Sequence, residues 1–173
     1  MDRNGYSYLI HPLMDGVPRV EPALLQAWVD WAVAQKALWG KATLILAPEA
    51  MGLPLAAPLS LAAGIPYIVV RKRKYDLPGE TRAQGKTGYG ESGFFVNDVR
   101  PDDKVLIVDD VLSTGGTLDA LLAALTTIGA NVVGALVFID KGTARADLER
   151  KHGVPVRAMR TISVEGGKVH IVE

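Results

Sequence analysis

Short apolar runs alternate along the chain with segments in which apolar residues recur every three to four positions. The short runs are continuous, as in strands that are buried on both faces, whereas the periodic segments indicate amphipathic helices. The pattern predicts strands at 43–47, 67–70, 104–108, 132–139, 154–162 and 168–172. It predicts helices at 21–38, 54–63, 117–128 and 144–152. Strands that alternate with helices form a parallel sheet covered on both faces, so we expect one α/β domain over residues 1–173.

Composition agrees with one globular domain and excludes several classes of protein. The 173 residues carry 19 Lys and Arg against 19 Asp and Glu, and this zero net charge argues against a protein whose whole surface binds nucleic acid. The chain has no cysteine, which excludes disulfides, Cys-ligated zinc and a thiol nucleophile. With 49% hydrophobic residues it is too apolar to be mainly disordered. We expect a cytoplasmic protein.

The segment 50–70 carries no charged residue and is long enough to span a membrane. Proline and glycine interrupt it at five positions, which a single lipid-facing helix would have to absorb. These positions are Gly52, Pro54, Pro58, Gly64 and Pro66. We therefore interpret the segment as a loop, a short helix, a turn and a buried strand, and expect no membrane partner.

The most informative segment is KVLIVDDVLSTGGT at 104–117. A predicted strand leads into Asp109 and Asp110, and a polar loop follows that opens the next helix. The loop consists of Ser113, Thr114, Gly115, Gly116 and Thr117. Ligands bind beyond the carboxyl ends of parallel strands, and a glycine-rich loop at a helix N-terminus suits a phosphate. Carboxylates would repel a neighbouring phosphate unless they face hydroxyls or a divalent cation. A sugar phosphate therefore fits the segment, with its hydroxyls at the two aspartates and its phosphate at the loop.

The sequence VLIVDDVLSTGGT resembles the phosphoribosyl-pyrophosphate (PRPP) signature of the type I phosphoribosyltransferases, and the chain is most similar to the archaeal-type hypoxanthine/guanine and the adenine enzymes. This resemblance implies a twisted, mostly parallel sheet with helices on both faces. It also implies a small hood formed by about 1–20 with the C-terminal region, and a mobile flap at about 72–95. In the family, residues at the positions of Asp109 and Asp110 hold the ribose hydroxyls, stabilise the transition state and hold Mg²⁺ directly or indirectly, and the loop binds the 5′-phosphate.

Three other segments extend the resemblance over nearly the whole chain. PEAMG at 48–52 is similar to the family's pyrophosphate loop, and YIVVRKRKYDLPG at 67–79 is similar to its strand and basic segment before the flap. These similarities imply a set of pyrophosphate-binding residues: Ala50, Met51, Gly52, Arg71, Lys72 and Lys74. FIDK at 138–141 resembles the region where a lysine, here Lys141, meets the purine O6.

Charge is distributed unevenly along the neutral chain. Residues 71–86 carry six basic and two acidic side chains. A charge run is usually a solvated face, but a departing pyrophosphate must be neutralised, and the segment is glycine-rich and aperiodic like a lid. Residues 98–110 carry five acidic and two basic side chains. We interpret the two stretches as patches of opposite sign, one for pyrophosphate and one for Mg²⁺ and ribose.

The implied activity joins a purine base to PRPP and releases a nucleoside 5′-monophosphate and pyrophosphate, with Mg²⁺ as cofactor and a homodimer as the assembly. A 6-oxopurine is preferred over adenine because the Lys141 ammonium can donate to O6. Ser113 stands where hypoxanthine–guanine enzymes carry an aspartate proton acceptor, and Gly88 stands near the glutamate of adenine enzymes, so no general base is assigned. The alternative is a non-catalytic PRPP-binding regulator on the same fold, although no helix-turn-helix is evident and no nucleic-acid partner is expected.

Overall fold

The computed structural model of the chain describes residues 2–3, 6–7, 9–87, 90–142, 144–165 and 168–172. Within these ranges no helix has both the length and the apolar character needed to cross a membrane. The uncharged segment 50–70 folds into a twelve-residue helix, a turn and a strand. This outcome agrees with the interpretation from its prolines and glycines.

The strands form one six-stranded sheet and two small hairpins. In chain order they are β1 (Asp2–Arg3), β2 (Tyr6–Ser7), β3 (Leu44–Pro48), β4 (Tyr67–Val70), β5 (Thr81–Thr87), β6 (Gly90–Val96), β7 (Lys104–Leu112), β8 (Asn131–Asp140), β9 (Val156–Glu165) and β10 (Lys168–Ile171). The central sheet has the order β10–β9–β8–β7–β3–β4. All its neighbours pair in parallel except β10, which is antiparallel to β9. The predicted α/β class with a mostly parallel sheet is confirmed.

Six helices accompany the strands in the part of the chain that the structure describes. They are α1 (Pro12–Asp15), α2 (Pro22–Ala34), α3 (Lys36–Trp39), α4 (Gly52–Ala63), α5 (Gly116–Ile128) and α6 (Arg145–His152). The helix predicted at 21–38 is divided into α2 and α3, and the indole N–H of Trp39 folds back to donate to the Ala32 carbonyl at 2.8 Å. Helix α1 was not predicted, because its four residues are too few to show a helical period.

The sheet is covered on both faces, as its continuous apolar strands predict. Every residue of β3 is buried. Leu46 belongs to a cluster on the face covered by α5, α6 and the β5–β6 hairpin, whereas its neighbour Ile45 belongs to a cluster with α1, α2, α3 and α4. Adjacent residues of one strand thus enter opposite halves of the core, which is the arrangement of a sheet between two helical layers.

The segment 71–93 has more structure than its aperiodic sequence indicated. It contains β5 and the first part of β6, which pair antiparallel with Ala83 opposite Phe94. Ala83, Phe94 and Val96 are buried. Among the side chains that the structure describes, these three anchor the hairpin, and so few apolar positions do not predict a strand pair. Gly88, which stands near the position of the glutamate of adenine enzymes, lies outside the described residues.

A polar cluster joins the first turn of α5 to the last turn of α6. The Asp119 carboxylate accepts hydrogen bonds from Lys151 Nζ at 2.7 and 2.8 Å, and its Oδ1 lies 2.6 Å from His152 Nε2. The hydrogen bond from Lys151, followed by that from His152, lowers the pKa of Asp119 below its usual value. A negative side chain in the first turn of a helix is also favourable to the helix dipole.

This cluster predicts a specific pH dependence of stability. Because the pKa of Asp119 is lower in the folded chain than the value of about 3.9 for an unfolded one, its contribution is present above about pH 4 and is lost as the pH falls through the folded pKa. We expect Asp119→Asn to cost less than about 1 kcal/mol near neutral pH, since the carboxylate is partly exposed. The difference from wild type in the free energy of unfolding by urea should shrink below pH 4.

Asp147→Asn is the control, because it removes a carboxylate from an exposed ion pair on α6 and changes the net charge equally. A difference between wild type and Asp119→Asn that stays constant from pH 6 to pH 3 would contradict the assignment.

Candidate functional site

Three adjacent strands end at the same edge of the sheet and bring the predicted site segments together. β3 leads into the pyrophosphate-loop segment, and β7 ends at Leu112, directly before the predicted phosphate loop. β8 ends at Asp140, just before Lys141. These strands are neighbours in the order β8–β7–β3 and are parallel. Segments that are separated by up to ninety residues in sequence therefore meet at one carboxyl edge, where open α/β sheets bind ligands.

The acid pair lies inside β7 rather than after it. The strand was predicted to end at 108, but it continues to Leu112 because Asp109 and Val111 stay in register with Val137 and Ile139 of β8. Pairing with a neighbouring strand overrides the low strand propensity of aspartate. As a result the carboxylates are carried by a rigid strand instead of a loop.

The two carboxylates are half-buried and crowded. The Asp110 N–H donates to Asp109 Oδ1 at 2.9 Å. Burial raises the pKa of Asp109 well above its ordinary value, and the negative charge of Asp110 raises it further. Burial also raises the pKa of Asp110, with a smaller contribution from the charge of Asp15 on α1. The site therefore concentrates negative charge that a cation or a developing positive charge can relieve.

Asp15 was not identified from the sequence. It lies in α1, where its Oδ2 accepts a hydrogen bond from the His11 N–H at 2.9 Å. Helix α1 packs against the end of β7 through the buried Leu13. The resemblance assigned this segment to the hood, but nothing in the local pattern indicated that its carboxylate would lie in the field of Asp110.

The loop after β7 opens α5 through a left-handed glycine. Gly115 is the N-cap with φ +80°, and it provides no side chain to cap the helix. A Cβ at this position would lie 3.0 Å from both Ala144 Cβ and Leu148 Cδ1. The loop backbone therefore rests directly on α6, and the first N–H groups of α5 receive no cap from the N-cap side chain. Such a helix end favours an anion.

The segment after β3 also requires a glycine. A Cβ on Gly52 would lie 3.0 Å from the Val108 carbonyl oxygen and 3.2 Å from Pro48 Cδ. Gly52 begins α4, and the Glu49–Ala50 peptide bond before it is cis. Gly52 thus lies close against β7 one residue before the acid pair begins, and Ala50 and Met51 form the turn that precedes it.

Glu49 connects this turn to the basic segment, and sequence reasoning missed it. Its Oε1 accepts a hydrogen bond from the Lys72 N–H at 2.6 Å, and its Oε2 lies 2.9 Å from Arg71 Nε. Arg71 is bonded in turn to β6, since its N–H and carbonyl pair with Phe95. The pyrophosphate-loop segment, the basic segment and the hairpin therefore share one anchor.

The structure does not bring Lys74 to that anchor. Its ammonium forms an exposed ion pair with Asp76, and the hydrogen bond to Asp76 raises the pKa of Lys74. The side chains of both residues are mostly exposed. Of the predicted pyrophosphate-binding cations, Arg71 thus lies beside the loop and Lys74 does not, and the binding role of each stays a prediction.

The interpretation of residues 98–110 as one acidic patch for Mg²⁺ and ribose is wrong in part. Asp98, Asp102 and Asp103 precede β7, whereas Asp109 and Asp110 lie near its other end. A strand rises about 3.3 Å per residue, so the first group is on the order of 20 Å from the site. Proximity in sequence does not bring charges together along an extended strand.

The acid pair fits a hard divalent cation that is shared with a substrate. Mg²⁺ takes oxygen ligands, commonly one or two carboxylates with substrate phosphate oxygens completing its shell. Asp109 and Asp110 supply such oxygens. Across 9–87 and the other described ranges, no group of three or more His, Cys, Asp or Glu side chains could hold a metal alone. The donor set therefore suits an ion whose remaining ligands come from the substrate.

Lys141 begins the loop after β8. Its backbone N–H donates to the Leu112 carbonyl at 2.9 Å, which ties the loop to the end of β7. The residue is half-buried. The predicted phosphate loop therefore follows the end of β7, and the predicted base-binding lysine follows the end of β8, the strand paired with it.

Comparison with known proteins agrees with this arrangement. A family model described as "Phosphoribosyl transferase domain" matches residues 22–167. The hypoxanthine/guanine phosphoribosyltransferase of Methanothermus fervidus is 42% identical over 96% of this chain and 88% of its own length. HGPRTase-like protein 2 of Haloquadratum walsbyi is 44% identical over 99% of this chain and 92% of its own.

Among solved structures, the adenine phosphoribosyltransferase of Saccharomyces cerevisiae superposes with a TM-score of 0.67 and 25% identity, covering 80% of each chain. That protein was crystallised with adenine and an imino-altritol bisphosphate. The family match covers most of the chain, and the relatives match it along nearly their whole length. The chain belongs to the phosphoribosyltransferase family.

Proposed function

We propose that the chain is a purine-salvage enzyme that transfers 5-phosphoribose from PRPP to a 6-oxopurine base and releases pyrophosphate. The observation that carries the proposal is the strand end that bears Asp109 and Asp110 directly before the left-handed Gly115 loop and α5. Those groups suit the ribose hydroxyls and the 5′-phosphate of one ligand. The neighbouring turn at 50–52 suits its pyrophosphate.

The proposed mechanism relies on electrostatics. The backbone N–H groups of 113–117 hold the 5′-phosphate, and Asp109 and Asp110 orient the ribose and favour the positive charge that develops at its anomeric carbon. Ala50, Met51 and Gly52 with Arg71 and Lys72 face the leaving pyrophosphate. Asp109 and Asp110 would hold Mg²⁺ together with the substrate, and the bound ion would supply neutralisation of negative charge. Closure of the β5–β6 hairpin over the site would exclude water, which would otherwise hydrolyse the activated sugar.

The preference for a 6-oxopurine rests on Lys141. An ammonium donates to a carbonyl O6, whereas it meets the amino group of adenine unfavourably. The name of the Methanothermus fervidus relative, which refers to hypoxanthine and guanine, supports this choice. The adenine enzyme of yeast supports the fold and the PRPP half of the site, and is more distant in sequence.

A homodimer in the cytoplasm completes the proposal. The absence of cysteine suits a reducing compartment. Support for self-association comes from the edge strand β4, beside which lies a groove of about 490 Å³ whose lining contains Arg71 and Asn97 and otherwise consists of apolar or aromatic side chains. These include Tyr67, Tyr75 and Leu77.

A direct assay tests the proposed reaction. Purified protein with PRPP and Mg²⁺ should form nucleotide from hypoxanthine, guanine or xanthine faster than from adenine, and should form none from uracil. If none of these bases is converted to nucleotide, while calorimetry shows clear PRPP binding, the assignment as an enzyme is overturned and the PRPP-binding regulator is favoured.

Lys141→Met tests the base preference. A hydrogen bond to a charged group contributes about 1.5–3 kcal/mol, so kcat/KM for hypoxanthine should fall about 10- to 100-fold while that for adenine changes little. Lys104→Met, at the exposed first residue of β7 and at the opposite end of that strand from the acid pair, is the control and should behave like wild type. An equal loss for both bases in Lys141→Met would exclude a contact with O6.

A further inference from the structure

One fully buried carboxylate holds the loop that follows β8. Asp140 is the last residue of β8 and has no exposed surface. Its Oδ1 accepts a hydrogen bond from the Gly142 N–H at 2.8 Å, and its Oδ2 lies 3.2 Å from Arg145 Nε. Within the described residues, Oδ2 has no partner of hydrogen-bond geometry. Arg145 therefore offsets the buried negative charge of Asp140 as an ion pair, without a well-formed hydrogen bond to Oδ2.

Asp140 is an unusual choice for a purely structural position. The rest of the C-terminal half of β8 is apolar and buried, from Ala135 to Ile139. A buried ion pair commonly adds less stability than apolar side chains of similar volume, because both charges must leave water. The Asp140 carboxylate does fix the backbone beside it, because it accepts a hydrogen bond from the Gly142 N–H two residues later. This points to a requirement for loop shape at 140–142.

Lys141 lies between two fixed points of that loop. On one side its own N–H is bonded to Leu112 of β7, and on the other side the next N–H is bonded to Asp140. Gly142 adopts φ +79°, a conformation that glycine accepts without strain. The backbone on both sides of Lys141 is therefore specified, and with it the direction in which the lysine leaves the loop.

We propose that Asp140 and Arg145 are positioning residues that aim Lys141 at the base and so determine selectivity for 6-oxopurines. This inference rests on the proposed function, in which Lys141 contacts O6. Neither partner is assigned a contact with substrate, and Asp140 is enclosed in protein. Their effect on the reaction passes through Lys141.

Helix α6 creates a second route by which Arg145 could act. Arg145 is its first residue, and Leu148 one turn later is in contact range of the Gly115 position in the phosphate loop. If the ion pair merely anchored α6, its loss would disturb PRPP binding as much as base binding. The KM for PRPP therefore separates the two roles.

The test uses two variants that remove the ion pair in different ways. Asp140→Asn keeps an oxygen for the Gly142 N–H but loses the charge, and Arg145→Gln removes the cation. Each should raise the KM for hypoxanthine about tenfold, leave the KM for PRPP within twofold of wild type, and narrow the preference for hypoxanthine over adenine. Arg145→Lys should restore most of the wild-type KM. Arg150→Gln, which breaks an exposed pair on the same helix, should change neither constant.

A double-mutant cycle shows whether the pair acts through the lysine. In the Lys141→Met background, Asp140→Asn should raise the KM for hypoxanthine less than twofold further, because the contact that it positions is already gone. Additive effects, or an equal rise of the KM for PRPP, would overturn the proposal. If Asp140→Asn does not fold, Arg145→Gln takes its place in the cycle with Lys141→Met, and Arg145→Lys serves as the conservative control.

The outcome is distinguishable from failure of the proposed function. Wild type that turns over no base refutes the enzyme itself, whatever the variants do. Wild type that prefers hypoxanthine, with Asp140→Asn unchanged in both KM and preference, refutes only the positioning role.

Discussion

Asp110→Asn should lower kcat/KM for PRPP by about 10²–10³-fold, the range seen when one preorganised electrostatic contact to a transition state is removed. The amide keeps the size of the side chain and can still accept a hydrogen bond. It loses the negative charge that faces the sugar as positive charge develops there, and it weakens the donor set for Mg²⁺. We expect the loss mainly in kcat, measured by steady-state kinetics at saturating base.

The matched control is Asp102→Asn, an exposed aspartate in the turn that leads into the same strand. It changes the net charge equally and should retain wild-type kinetics, because it lies before the amino-terminal end of β7. Thermal unfolding of both variants shows whether β7 is intact. A rate for Asp110→Asn within twofold of wild type would remove the assigned role of the acid pair.

The chain order of the six strands of the central sheet, and the segment that carries the acid pair, could be predicted because both depend on local patterns. Continuous apolar runs are typical of strands between two helical layers, and β3 is buried throughout. The segment VLIVDDVLSTGGT combines strand, acids, glycine loop and helix in contiguous residues. Its position at a sheet edge then follows from the rule for parallel strands.

Features that depend on contacts between distant residues could not be predicted. Strand β7 extends past its apolar run because β8 pairs with it, and the acidic residues before it are separated from the site by the length of the strand. Glu49 meets Arg71 across more than twenty residues, and Asp140 meets Arg145 only because the loop turns back. A charged residue at the end of an apolar strand, such as Asp140, could have indicated a buried ion pair, because a buried charge requires a partner.

Glu49 and Asp140 each hold one half of the candidate site in place. Glu49 holds the turn and the basic segment that we assign to pyrophosphate, whereas Asp140 holds the loop that we assign to the base. The acid pair lies between them on β7. In the proposed function, both substrates would therefore meet side chains and backbone that ion pairs hold in place, which is the arrangement that precise orientation requires.

Gly115→Ala should raise the KM for PRPP at least tenfold, because the change acts on the phosphate loop in two ways. Alanine at φ +80° is strained by about 1 kcal/mol. Its Cβ would also lie 3.0 Å from Ala144 Cβ and Leu148 Cδ1, so the loop must move away from α6. A displacement of about 1 Å in a binding loop can cost up to 10²-fold in rate. Calorimetric titration with PRPP and steady-state kinetics measure the effect.

Gly129→Ala separates the two contributions. Gly129 ends the same helix with φ +84°, but its Cβ would meet only Pro101 Cβ at 3.7 Å, an ordinary contact far from the site. The strain is the same as at Gly115, so both variants should lose a similar amount of the free energy of unfolding from the backbone alone. Only Gly115→Ala should lose affinity for PRPP. Equal affinities in the two variants would mean that the loop at Gly115 does not hold the phosphate.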